Sequence, residues 1–154
     1  MSAVDVQTEV VIDRPRDVVA AFAADPARAT RWYRNIRSAA WVTPPPASVG
    51  SRIAFVARFL GRTISYVYEV REDVAGERFV MSMAEGPLRM ETTYVWSDAP
   101  GGGTRMTLRN RGEPSGFAAI AAPLLARAMR RANEGDLSRL KSLLEAEAPP
   151  ERRP

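Results

Sequence analysis

The chain has 154 residues and a formal net charge of +4 from 22 basic and 18 acidic side chains, with no cysteine and no histidine. Those absences exclude disulfides, thiolate nucleophiles, zinc–sulfur centres and the side chain most used as a general base near neutral pH, leaving Asp, Glu, Tyr, Ser, Thr, Lys141 and Arg for any chemistry. The length suits one domain burying about 70% of its unfolded surface, and no apolar run reaches the ~18 residues of a membrane span.

Residues 4–12 (VDVQTEVVI) alternate, with Val4, Val6, Thr8, Val10 and Ile12 on one side, which predicts a strand. Pro15 then stands where a first helical residue needs no N–H, and Val18, Val19, Phe22 and Ala23 share one face of the helix that follows. Asp25-Pro26 repeats the start signal and predicts a second short helix through about Trp32, bringing Ala29, Trp32 and Tyr33 together. Residues 36–42 read as a strand, and TPPPASVG as a rigid polar connection.

From Ser51 the pattern is an antiparallel meander. One face carries Ile53, Phe55, Ala57 and Phe59, then Ile64, Tyr66, Tyr68 and Val70, then Phe79, Met81 and Met83. The same face continues with Leu88, Met90, Thr92, Tyr94 and Trp96, and ends with Met106, Leu108 and Asn110. Turning at Gly61-Arg62 opposes Phe59 to Ile64, Ala57 to Tyr66, Phe55 to Tyr68 and Ile53 to Val70. Turning at AEGP opposes Met83 to Leu88 and Met81 to Met90, and the glycine-rich turn opposes Trp96 to Thr104, Tyr94 to Met106 and Thr92 to Leu108. Every hairpin then has one apolar face, as a half-buried sheet requires. The outer face sets Glu91 against Arg109 and Arg58 against Ser65.

Residues 115–147 predict a long helix. Ser115 is placed to cap it, and Phe117, Ile120, Ala121, Leu124, Leu125, Ala128, Met129 and Ala132 form a broad stripe. Pro123 predicts a kink or a fresh start. Asn133, Glu134, Gly135 and Asp136 interrupt the stripe before Leu137, Leu140, Leu143 and Leu144 resume it. One domain over 4–147 and a disordered tail over 148–154 are expected.

This order resembles the polyketide cyclase/dehydrase and lipid-transport family, within the superfamily of START-like lipid transfer domains. The residues carrying the resemblance are Ile12, Pro15, Val18-Val19, Phe22, Asp25 and Trp32, then Val49-Gly50, Gly61, Gly103-Thr104 and the closing run Leu140 to Glu145. The resemblance implies an α+β helix-grip fold: a seven-stranded curved antiparallel sheet wrapped around the long C-terminal helix, with two short helices after the first strand. It also implies a cavity between sheet and helix for a lipid-, steroid- or polyketide-like molecule. The family has no universal catalytic motif, so no catalytic residue carries over.

Under that fold the inner sheet face becomes the cavity wall. The ligand-binding candidates are Phe22, Trp32, Phe55, Phe59, Tyr66, Tyr68, Met81, Met83, Met90, Thr92 and Tyr94, with Leu124, Ala128 and Asn133 from the helix. Such a lining, apolar, adaptable at methionine and supplied with a few hydroxyls, suits a small-molecule pocket, and buried tyrosine hydroxyls need partners. Glu69 and Glu91 point outward in this register, so no cavity-facing acid is identified; no metal site or cofactor is expected.

The expected partner is a hydrophobic small molecule that the protein binds or carries. The alternative is a polyketide cyclase or aromatase using the same cavity. Trp32 and Tyr33 lie among Arg28, Arg31, Arg34 and Arg37, a composition that also suits stacking on nucleic acid. Arginine spread over the whole chain argues for ordinary solvated surface, and no nucleic-acid partner is expected. MSAVDVQTEV lacks the basic start and apolar core of a secretory signal, which predicts a cytoplasmic protein with no stable membrane insertion. Oligomeric state is not legible.

Overall fold

The computed structural model describes residues 4–85, 89–113 and 121–147. Strand β1 (Val4–Ile12) is followed by helix α1 (Arg16–Ala23), a 3-10 turn (Pro26–Arg28) and helix α2 (Ala29–Trp32). Strands β2 (Ile36–Trp41), β3 (Arg52–Phe59), β4 (Arg62–Val74), β5 (Arg78–Glu85), β6 (Arg89–Asp98) and β7 (Thr104–Glu113) come next, and helix α3 (Ala122–Ala146) closes the fold. The strands form one antiparallel sheet in the order β1-β7-β6-β5-β4-β3-β2, so the first strand returns beside the last and β2 is the other edge. This is the curved sheet and long C-terminal helix of the helix-grip fold.

Alternation decides which face is buried. Along β1, Val4, Val6, Thr8 and Ile12 are buried while Asp5, Gln7 and Glu9 are exposed. In α1 the buried residues are Val19, Ala20, Phe22 and Ala23, with Val18 half-covered and Pro15 the residue just before the first turn. The Asp25 carboxylate accepts the Ala27 N–H at 3.0 Å, starting the turn that leads into α2.

The hairpin registers differ from the sequence expectation by two residues in every case. Phe59 opposes Arg62, Ala57 opposes Ile64, Phe55 opposes Tyr66 and Ile53 opposes Tyr68. The turn is the two-residue Leu60-Gly61, both at positive φ (52° and 77°), whose twist suits a tight hairpin. Likewise Met81 opposes Thr92, Trp96 opposes Met106, Tyr94 opposes Leu108 and Thr92 opposes Asn110. A slip of two leaves every side chain on its face, so the inner face survives intact. Outer-face partners change: Glu91 lies opposite Arg111, with an ion pair at 3.1 Å, and Arg58 opposite Thr63. Arg109 instead makes a two-pronged contact with Asp5 at 2.8 and 2.6 Å. The expected pairing at Leu88 lies outside the described residues, as do Ser115, Phe117, Ile120 and the tail 148–154.

Pro123 stands in the first turn of α3, where its missing N–H costs nothing, so it opens a helix rather than kinking one. From there α3 runs unbroken through 133–136. Leu137, Leu140 and Leu144 are almost wholly buried against Ile12, Val19, Trp32 and Met106 in the main core, each burial worth about 2 kcal/mol. A smaller cluster packs Val4 and Val6 on Ala122, with Leu125, Ala126 and Met129 around it. Polar clamps fix the helix along β1: Arg130 reaches the Gln7 carbonyl (3.0 Å), Lys141 the Val11 carbonyl (2.7 Å) and Arg14 the Leu144 carbonyl (2.6 Å). The Glu145 carboxylate accepts the Asp13 N–H at 2.8 Å.

A candidate ligand cavity between sheet and helix

The inner sheet face does not close completely on α3. A cavity of about 170 Å³ lies between them. Phe55, Ala57 and Phe59 of β3, Ile64, Tyr66 and Tyr68 of β4, and Phe79, Met81 and Met83 of β5 line it. Met90, Thr92 and Tyr94 of β6 and Asn110 of β7 continue the wall, and Leu125, Met129, Ala132, Asn133 and Asp136 of α3 face them. The segment from Ala23 to Ile36 completes one side through Ala29, Tyr33 and Asn35. Phe59, Ile64 and Leu125 of this lining are half-buried, next to the β3–β4 turn and the first turns of α3.

All four tyrosines of the chain are in this wall. Tyr33 and Tyr94 hydroxyls share a hydrogen bond of 2.5 Å. On the other side the Thr92 hydroxyl donates to Asn110 Oδ1 at 2.6 Å; having a single hydrogen, it therefore accepts from the Tyr68 hydroxyl at 3.0 Å. Burial pushes the Tyr68 phenol up to about 12 despite its bond to Thr92, and raises Tyr33, Tyr66 and Tyr94 as well. The four phenols are therefore neutral donors and acceptors at physiological pH.

Two polar groups of α3 lack that mutual satisfaction. Asn133 is 4% exposed, and its Nδ2 has no hydrogen-bond partner among the described residues. Asp136, one turn further on, is 2% exposed and accepts the Arg34 N–H through Oδ1 at 3.1 Å. Among the described residues no cation lies within ion-pair distance of it. Burial outweighs the Arg34 N–H and the positive charges of Arg34 and Arg139, and lifts the Asp136 carboxyl from 3.8 to about 6. The wall thus holds a carboxyl that changes charge near neutral pH, an acid that the alternation of the strands did not identify.

Of the fourteen candidates read from the sequence, Phe55, Phe59, Tyr66, Tyr68, Met81, Met83, Met90, Thr92, Tyr94 and Asn133 meet in the wall. Phe22 does not: it is buried in the core, with the guanidinium groups of Arg28 and Arg31 over its ring at 5.0 and 5.3 Å. Trp32 is wholly buried behind the wall, its ring 4.1 Å from that of Tyr33 and 5.8 Å from that of Tyr94. Leu124 is 67% exposed and Ala128 lies on the helix flank; Leu125 and Met129, one residue further along, take the wall positions. Around α2, Arg28 pairs with Asp25 at 3.4 Å and Arg31 with Glu147 at 3.0 Å. Glu69 and Glu91 face outward as expected, Glu69 between Arg52 and Arg71.

No group of three or more Asp, Glu, His or Cys side chains suited to a metal ion occurs among the described residues, and no described helix is long and apolar enough to cross a membrane.

Comparison with known proteins agrees with this architecture. The family model described as polyketide cyclase/dehydrase and lipid transport matches residues 3–145. Among solved structures, a protein of Thermus thermophilus superimposes with a TM-score of 0.81 at 23% identity, covering 94% of this chain and 99% of its own. The Zhui aromatase/cyclase of a Streptomyces species gives 0.81 at 13% identity, covering 97% and 98%. A START superfamily protein of Mycobacterium smegmatis gives 0.80 at 11% identity, covering 92% and 97%. Such identities speak for the fold alone, and no curated protein sequence matches. With the family model spanning nearly the whole length and the helix-grip architecture in place, the chain belongs to the polyketide cyclase/dehydrase and lipid-transport family.

Proposed function

We propose that the protein binds a compact hydrophobic molecule in the cavity between the sheet and α3. The observation that carries this reading is the wall itself: aromatic rings and three methionines of the sheet around about 170 Å³ of space, with polar atoms at only a few points. Drug-sized pockets run to about 300–1,000 Å³, whereas an apolar cavity of about 150 Å³ accepts benzene. A body of one or two fused rings therefore suits the space better than a four-ring steroid or a long acyl chain. Methionine at Met81, Met83 and Met90 lets the wall adjust to the ligand's outline.

Native mass spectrometry of the purified protein, followed by denaturing extraction, tests this reading. A bound compound of low mass is expected in the wild type. It should be missing from Ala132→Phe, which puts a ring into the cavity from α3. Equal loading of both proteins, or an unloaded wild type that also fails to take up two-ring hydrocarbons, would sink the reading.

One observation favours a second reading, an aromatase/cyclase-type activity in the same cavity. A carboxyl lifted to about 6 sits in the wall as Asp136, poised to accept a proton near neutral pH. Turnover of a polyketide mimic, lost in Asp136→Asn and in Tyr94→Phe while both variants stay folded, would establish it.

A further inference from the structure

Polar demand in the cavity is uneven. Tyr33 and Tyr94 satisfy each other, and Tyr68, Thr92 and Asn110 form a closed chain of donors and acceptors. The Tyr66 hydroxyl makes no bond among the described residues but is half-buried; the fully buried demand that remains in the wall is on α3. Asn133 Nδ2 is a buried donor with no partner among the described residues, a condition that costs about 1–3 kcal/mol unless something fills it. Asp136 lies three residues on, on the same side of the helix. Its Oδ1 is taken by the Arg34 N–H, so its acceptor capacity towards the cavity is the other oxygen.

We propose that Asn133 and Asp136 are the specificity pair of this cavity, and that its ligand is a neutral ring compound bearing an acceptor atom beside an N–H or O–H donor. The proposal rests on the ligand-binding reading above. Asn133 supplies the donor that meets the ligand's acceptor. Asp136, as its carboxylate, supplies the acceptor that meets the ligand's donor. A cis-amide edge has that pattern.

The same pair selects against anions. A ligand carboxylate would bring a second negative charge against Asp136 in a poorly solvated wall. The charged or titratable groups around Asp136 are Tyr33 and Arg34 between α2 and β2, Tyr94 on β6 and Arg139 on α3. Both phenols are neutral, while the Arg34 and Arg139 side chains make no ion pair with Asp136 and Arg139 donates to the Arg31 carbonyl. Their charges act to lower the Asp136 carboxyl but do not offset its burial.

Calorimetric titration of the full chain near pH 8 tests the proposal with four probes on one two-ring skeleton: tetralin, tetralone, the lactam dihydroquinolinone and tetralin carboxylate. The lactam is expected to bind tightest, about tenfold or more above tetralin, and the carboxylate weakest. Asn133→Leu should bring tetralone down to the level of tetralin. In Asp136→Asn the Arg34 N–H still claims the side-chain oxygen, so an amide N–H faces the cavity and the lactam loses its advantage over tetralone. Circular dichroism checks that both variants fold. Equal binding of tetralin and lactam by the wild type, or an unchanged ranking in both folded variants, overturns the proposal and leaves the ligand-binding reading standing. Failure of every probe to bind the wild type overturns both.

Discussion

Asp136→Asn should stabilise the unliganded protein, and by an amount that depends on pH. The carboxyl is 2% exposed and lifted from 3.8 to about 6. A raised folded value means that the folded state binds the proton more tightly. The favourable contribution of the protonated group is therefore fully present below about pH 4 and is lost as pH rises through 6. At about 1.4 kcal/mol per pH unit, a rise from 3.8 to about 6 corresponds to about 3 kcal/mol lost between acid and neutral solution. Asparagine keeps the shape and can still accept the Arg34 N–H, but has no charge to desolvate. Urea unfolding of wild type and variant at pH 4, 5, 6 and 7 gives the difference directly. Asp5 and Glu145, whose neighbours Arg109 and Lys141 hold them low, lose stability in acid in both proteins and cancel. The variant's advantage should grow by about 2–3 kcal/mol from pH 4 to pH 7. A difference that stays constant over that range would refute the claim that Asp136 is an uncompensated buried carboxyl.

The face assignment of α3 predicts opposite outcomes for two leucines. Leu140→Ala, at a wholly buried site, should cost about 2–5 kcal/mol in urea unfolding, whereas Leu124→Ala, 67% exposed, should stay within about 0.5 kcal/mol. Thr92→Val removes the hydroxyl between Tyr68 and Asn110 and leaves the buried Tyr68 phenol and the half-buried Asn110 amide wanting partners; a loss of about 1–3 kcal/mol is expected in the same assay. Gly112→Ala should also destabilise, by about 1–3 kcal/mol, because a Cβ there would press into the Arg89 carbonyl and the Met90 sulfur across the β6–β7 pair; an unchanged midpoint would contradict that close approach.

Faces are legible in the sequence where pairings are not, and the reason is geometric. Alternation records only which side of a strand meets the core, so Phe55, Tyr66, Tyr68, Met81 and Tyr94 can be assigned to one wall without knowing their neighbours. Pairing depends on which residues the turn consumes. Leu60, a bulky residue at φ 52°, is an unusual choice for a tight turn, and nothing in the alternation marks it. Irregularities between Val67 and Tyr68 and between Val70 and Glu72 add shifts that no pattern encodes. Phe22 and Trp32 show the converse limit: their apolar character places them inside, yet whether a buried ring meets core or cavity depends on the layer behind it.

The helix misleads for a different reason. Among apolar residues alone, Asn133 and Asp136 read as a break in the stripe, and Leu124 and Ala128 enter in place of their neighbours. Counted by position alone, Leu125, Met129, Asn133, Asp136, Leu140 and Leu144 run at steps of three and four along one side. The signal is there for any reading that lets a polar residue face inward.

That continuity bears on why the two polar residues are there. Leucine at 133 and 136 would extend the stripe without a partnerless amide or a desolvated carboxyl. Keeping both forgoes several kcal/mol in a fold whose whole stability is expected at about 5–15 kcal/mol. The conflict borders the cavity along one helical turn, while Tyr33, Tyr68, Thr92 and Tyr94 of the wall are each satisfied by a neighbour; Arg14 Nε, Trp32 Nε1 and Trp96 Nε1, also buried without a partner among the described residues, lie outside the wall. Local inconsistency of this kind, set at the border of a cavity, is what a binding or catalytic requirement imposes. If the cavity were only imperfect packing, its unmet polar atoms would be scattered and replaceable. Their pairing on one face of α3 gives the empty space a chemical preference.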